Sequence, residues 1–134
     1  MKITQKKILL MVIIFSMLSC IIANAATPRW SHLTMISGQM KVDDGNRALV
    51  TVVCDATTDK TNLLQATCEL QQLDGSWKTI KTWTEENKGA SLLYSKHYAI
   101  EKGYSYRLKI TARAYQNSNL LETVTEYFDY GYYK

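Results

Sequence analysis

Imidazoles and thiols are scarce in this 134-residue chain, which has two histidines, His32 and His97, and three cysteines, Cys20, Cys54 and Cys68. No C-x-x-C pair is present, and neither Cys54 nor Cys68 has a histidine nearby in sequence, so the usual zinc and dithiol-redox signatures are missing. Ser91, Ser95 and His97 sit close together along the chain. Without an orienting acid and an oxyanion donor they do not amount to a nucleophilic triad. The neighbouring carboxylates Asp43-Asp44 and Glu85-Glu86 fall in turn-like segments, where adjacent side chains point apart rather than flank a scissile bond. Asp43-Asp44-Gly45-Asn46 offers oxygen ligands but lacks the later glutamate of a complete calcium loop. No catalytic residue, metal site or cofactor is expected, and the chain reads as a non-enzyme.

Long hydrophobic runs are also missing, with one exception. Lys2, Lys6 and Lys7 precede an apolar stretch from Ile8 to Leu18, which is too short to span a bilayer. Small residues follow and end in Ala23-Asn24-Ala25, the pattern read by signal peptidase. Residues 1–25 are therefore expected to be a signal peptide, cleaved after Ala25, and the protein is expected to be secreted. A competing reading anchors it by a lipid on Cys20, although Met17 stands where such a box carries leucine. No transmembrane segment is expected in the mature chain.

Excess charge disappears with the leader. Three of the 16 basic residues lie in it and none of the 12 acidic ones do, which leaves 13 against 12, a net +1. Nucleic-acid binding thereby loses its electrostatic premise. Residues 26–134 have the length of one domain with one core.

What is present is alternation. Ala48, Val50, Val52, Cys54 and Ala56 share one face of a strand, and Leu64, Ala66, Cys68 and Leu70 share one face of another, as half-buried strands require. A hairpin centred on Thr61 would set Cys54 opposite Cys68, and an exported chain with an even pair reads as one disulfide. Closing that loop would stabilise the domain by roughly 3 kcal/mol. From Tyr104 to Tyr115 apolar and polar residues alternate again, then Gln116-Asn117-Ser118-Asn119 supplies a turn before a strand from Leu120 to about Phe128. That turn sets Arg113 opposite Glu122 and Lys109 opposite Glu126. The basic stripe of Arg107, Lys109 and Arg113, a candidate for acidic polysaccharide or lipid headgroups, then reads as a neutralised, solvated face.

Strands over Leu33–Val42, Ser76–Thr84 and Ala90–Ile100 complete about seven, punctuated by Asp43-Asp44-Gly45-Asn46, Asp74-Gly75 and Lys88-Gly89. Seven short strands at this spacing predict an all-β, antiparallel sandwich of immunoglobulin type, with a small barrel as runner-up. No repeat, low-complexity linker or convincing helix follows the leader. Tyr104 or Tyr106, after Gly103, is placed to form the tyrosine corner of that fold class.

Thr27-Pro28-Arg29-Trp30, Leu70-Gln71-Gln72 before Asp74-Gly75-Ser76-Trp77-Lys78, Trp83, and Lys102-Gly103-Tyr104-Ser105-Tyr106-Arg107-Leu108 together resemble a family of small secreted proteins of Gram-positive gut bacteria. The resemblance spans nearly all of residues 26–134. It implies an immunoglobulin-like sandwich exported by a Gram-positive cell, and it carries no catalytic assignment, since the family's function is unknown.

Candidate ligand-binding residues are aromatic. Trp77 and Trp83 share a face by simple alternation: a two-residue turn at Asp74-Gly75 aims both at the core, and a bulged turn aims both outward as a stacking platform for sugar rings. Burial is the expectation, because a bulge within the strand can also send one ring each way. Trp30, beside Arg29, is a further candidate. Tyr130, Tyr132 and Tyr133 close an aromatic terminus that can stack on the sandwich, add to a partner's sheet edge, or associate with itself. The expected function is a noncatalytic binding or interaction module, monomeric or weakly self-associating, that contacts cell-wall or other polysaccharide or a cell-surface protein. The alternative is a toxin-like factor acting on competing cells.

Overall fold

Period-two burial in the strands decides the architecture. Along β2 (Arg47–Ala56) and β6 (Tyr104–Gln116) nearly every second side chain is buried and its neighbours are partly exposed, so each strand has one face for a core and one for solvent. The computed structural model describes residues 30–134; the expected leader, its expected cleavage site and Cys20 lie outside the described residues. The other strands are β1 (Leu33–Val42), β3 (Leu63–Asp74), β4 (Ser76–Lys88), β5 (Ser91–Ala99) and β7 (Asn119–Tyr133). They form two antiparallel sheets, ordered β1-β2-β5 and β4-β3-β6-β7. No helix occurs among the described residues. The expected all-β class and the count of seven strands are met.

The core lies between the sheets, with Val50, Val52 and Cys54 of β2 facing Leu64, Cys68 and Leu70 of β3 and Leu108 and Ile110 of β6. β2 and β3 do not form the expected hairpin. β2 pairs with β1 and β5, and β3 pairs with β4 and β6. Their connection crosses from one sheet to the other, held by Thr57 N–H to His32 O (2.8 Å) and Asn62 N–H to Tyr115 O (2.9 Å). Nor is the expected disulfide formed in this structure: Cys54 and Cys68 are free, buried thiols on facing sheets. Burial pushes both up to about 12, so neither is an activated nucleophile.

Tyr106 closes the corner before β6. Its side chain is fully buried, and its hydroxyl donates to Glu101 O (2.6 Å) while accepting from Glu101 N–H (3.1 Å) and Gln72 Nε2 (3.0 Å). Of the two tyrosines considered for this corner, it is Tyr106 that makes the bonds.

The two open sides of the sandwich are sealed differently. Between edge strands β4 and β5, Trp83 meets Tyr98 edge to face at 6.3 Å, and Lys96 pairs with Glu85. Inward-pointing charges on edge strands hinder pairing with another sheet. Between β1 and β7, Gly38 brings the β1 backbone close to the opposite sheet. A Cβ there would lie 2.6 Å from Ile110 Cδ1 and 3.0 Å from Phe128 Cδ2.

Candidate functional site

Three bulges decide what reaches the surface. In β4 the register slips between the pairs Leu70↔Lys81 and Gln71↔Thr79, leaving Ile80 as the extra residue. Alternation is therefore reversed across it. Trp83 lies opposite Cys68 on the inner side and packs against the core, whereas Trp77 lies opposite Leu73 on the outer side. One ring goes each way, and the Trp77–Trp83 platform is not formed.

In β7 the extra residue is Leu121. Asn117 and Ser118 both have positive φ, 50° and 69°, and make the two-residue turn that was expected, but beyond Leu121 the register is Ala114↔Glu122, Arg113↔Thr123, Ile110↔Glu126 and Lys109↔Tyr127. The expected pairs Arg113–Glu122 and Lys109–Glu126 are thus absent, since both glutamates turn to the other face. Glu122 instead accepts hydrogen bonds from the backbone N–H groups of Ser31 (2.7 Å), His32 (2.8 Å) and Leu33 (2.7 Å), clamping the start of β1. Burial alone would raise its pKa, but these three bonds outweigh it and hold the carboxyl below its ordinary value.

The third bulge, at Tyr130, separates the pairs Arg107↔Asp129 and Tyr106↔Gly131. Beyond it Tyr132 is exposed opposite Ser105, while Tyr133 turns inward and donates to Asn46 Oδ1 at 2.6 Å. The aromatic terminus is thereby a strand of its own domain, longer than expected.

The outer face of the four-stranded sheet gathers what these bulges leave exposed. Arg107 stands at its centre. The guanidinium carbon lies 4.2 Å from the Trp77 ring centroid and 4.5 Å from that of Tyr127, so two aromatic residues from opposite edges of the sheet enclose one cation. Arg107 Nε donates to Gln71 Oε1 (2.8 Å), Gln71 Nε2 to Thr79 Oγ1 (3.2 Å), and Thr79 Oγ1 to Glu69 Oε1 (2.9 Å). Lys109 Nζ closes the chain on Glu69 Oε2 at 3.2 Å. This network explains why a glutamine, Gln71, is buried on an otherwise open face. Next to it Thr84, Thr67, Thr111 and Thr125 form one row across all four strands, with hydroxyl contacts of 3.0 Å in the outer two pairs. Leu73 and Tyr132 are exposed at the other end.

The remaining candidates lie elsewhere. Trp30 is partly buried against the core, and Tyr130 lines a groove of about 400 Å³ between β1 and β7 with Met40, Leu108 and Phe128. Ser91 Oγ donates to Asp55 Oδ1 (2.7 Å), Ser95 Oγ meets Thr51 Oγ1 (3.0 Å), and His97 is exposed opposite Leu49. Asp43 Oδ1 accepts from the backbone of Gly45 and Arg47 within its own turn. Among the described residues no group of three or more His, Cys, Asp or Glu could hold a metal ion, and no helix is long and apolar enough to cross a membrane.

Sequence reasoning missed Tyr127 and Gln71, and it dismissed Arg107. The signal available was the polar parity of β3 and β6, which places Gln71 and Arg107 on one face; Tyr127 could not be added without knowing of the Leu121 bulge. No protein-family model matches the chain, and the search of curated proteins finds no match.

Proposed function

We propose that this protein is an exported, noncatalytic binding module, an immunoglobulin-like sandwich that engages its partner through the outer face of the four-stranded sheet. One observation carries the reading: Arg107 stacked between Trp77 and Tyr127 on an open sheet face, flanked by exposed Leu73 and Tyr132. Trp, Tyr and Arg are the residues that dominate binding energy at interfaces. Here they are held by the sheet and by Gln71 rather than by a mobile loop, so little ordering entropy is lost on binding. The partner class is cell-wall or other polysaccharide, or a protein of the cell surface. The leader supports export. The tyrosine corner at the start of β6 supports the immunoglobulin-like assignment, as does the resemblance to small secreted Gram-positive proteins. Oxidation of Cys54 and Cys68 to a bond between the two sheets belongs to the same proposal, because export moves the pair into an oxidising environment.

The test is capture of the purified protein on intact cells, isolated cell walls and a panel of insoluble polysaccharides, comparing Trp77→Ala and Tyr127→Ala with Trp83→Ala. Loss of capture in the first two, with folding retained, is the expected result. Capture that survives both substitutions would remove this face from the reading.

A further inference from the structure

Arg107 and Arg113, on the binding face, form no ion pair among the described residues. The bulge at Leu121 takes Glu122 and Glu126 to the opposite side of β7, and Lys109 is satisfied by Glu69. Among the described residues no carboxylate lies within ion-pair distance of Arg107 or Arg113; Glu86 and Asp129, the other carboxylates of the face, pair with neither. Arg107 is also fixed. Its guanidinium carbon lies over the rings of both Trp77 and Tyr127, and its Nε is held by Gln71. What remains is the outer edge of the fork, whose Nη groups have no acceptor among the described residues. That edge matches a carboxylate in a two-point hydrogen bond, and the loss of side-chain freedom has already been met in the unbound protein. Arg113 follows six positions along β6, about 20 Å away at the rise of an extended strand. Between them run the hydroxyls of the threonine row.

We infer that the ligand of this face is a polysaccharide bearing carboxylates, of the hexuronate class, with Arg107 reading one carboxylate, Arg113 a second several sugars along, and Trp77 and Tyr127 bordering the track. This inference rests on the binding-module reading and adds the chemistry of the ligand. A single uronic acid would engage Arg107 alone, whereas a chain would engage both arginines.

Polygalacturonate and its carboxyl-reduced counterpart share a backbone and differ in charge, and they are the probes, with poly(glycerol phosphate) as the phosphodiester comparison. Titration calorimetry on the full-length gene product as exported should show binding to polygalacturonate and none to the reduced polymer. Arg107→Lys keeps the charge but loses the fork and the stack, and it should weaken binding by at least about tenfold. Arg113→Gln should weaken binding of the polymer but leave binding of monomeric galacturonate unchanged, and Lys60→Gln, distant in the β2–β3 connection, should change neither. Equal binding of both galactan polymers, native-like binding by Arg107→Lys, or preference for the phosphodiester polymer would overturn the inference. Failure of polygalacturonate to bind while Trp77→Ala still abolishes capture on cell walls would overturn the ligand class alone. Failure of both would overturn the module reading as well.

Discussion

Tyr106 and Glu122 each hold together groups far apart in sequence, and each does so through oxygen atoms a conservative substitution can remove. The Tyr106 hydroxyl serves Glu101 N–H, Glu101 O and Gln72 Nε2 from a fully buried ring. Tyr106→Phe leaves the ring in place and strips all three bonds, so a loss of about 2 kcal/mol is expected in urea unfolding. Glu122 satisfies three successive N–H groups at the entry to β1. Its folded pKa is depressed below the ordinary glutamate value of 4.5, so its contribution is complete above that pH and fades as pH falls through the folded value. Glu122→Gln should therefore cost about 1 kcal/mol at pH 7. Its deficit relative to the native protein should shrink as unfolding is repeated towards pH 3, and a deficit that does not change with pH would show that the carboxylate charge plays no part.

At the scale of elements, strand positions, faces and the β3–β4 and β6–β7 hairpins were readable, and the partners of β2 were not. Alternation in β2, β3 and β6 named the buried set correctly because a face is a property of one strand. Pairing is a property of two, and Thr57–Asn62 is polar whether it turns a hairpin or crosses between sheets. The extra residues Ile80, Leu121 and Tyr130 left no mark either. Each is an ordinary apolar or aromatic residue that reverses parity, and one reversal apiece decided the fate of Trp77, of Glu122 and of Tyr133. The stack on Arg107 therefore lay beyond parity alone. Gly38 is an element-scale device of the same kind, since β1 can approach Ile110 and Phe128 only without a Cβ. Gly38→Ala should destabilise the protein by about 1–2 kcal/mol through overpacking, measured as a shift in urea midpoint at unchanged slope. A neutral result would mean that β1 can move away from the sheet at no cost.

One sandwich presents two unlike outer faces, and among the described residues only the four-stranded one combines a fixed cation, aromatic rings and hydroxyls. The opposite sheet contributes the other half of the core and one of the two buried thiols. If export oxidises Cys54 and Cys68, intact-mass analysis of protein collected from the medium should find two hydrogens fewer than the reduced chain, and reduction should lower stability by roughly 3 kcal/mol. Two titratable thiols in that protein once unfolded would show that the sheets are held by packing alone. The most direct measurement of the central claim is an NMR titration of the protein with solubilised cell-wall fragments. Shifts confined to Trp77, Arg107, Tyr127, Tyr132 and their neighbours on the outer face of β4-β3-β6-β7 are the expected result. Shifts centred on β1-β2-β5, or on the groove between β1 and β7, would contradict it.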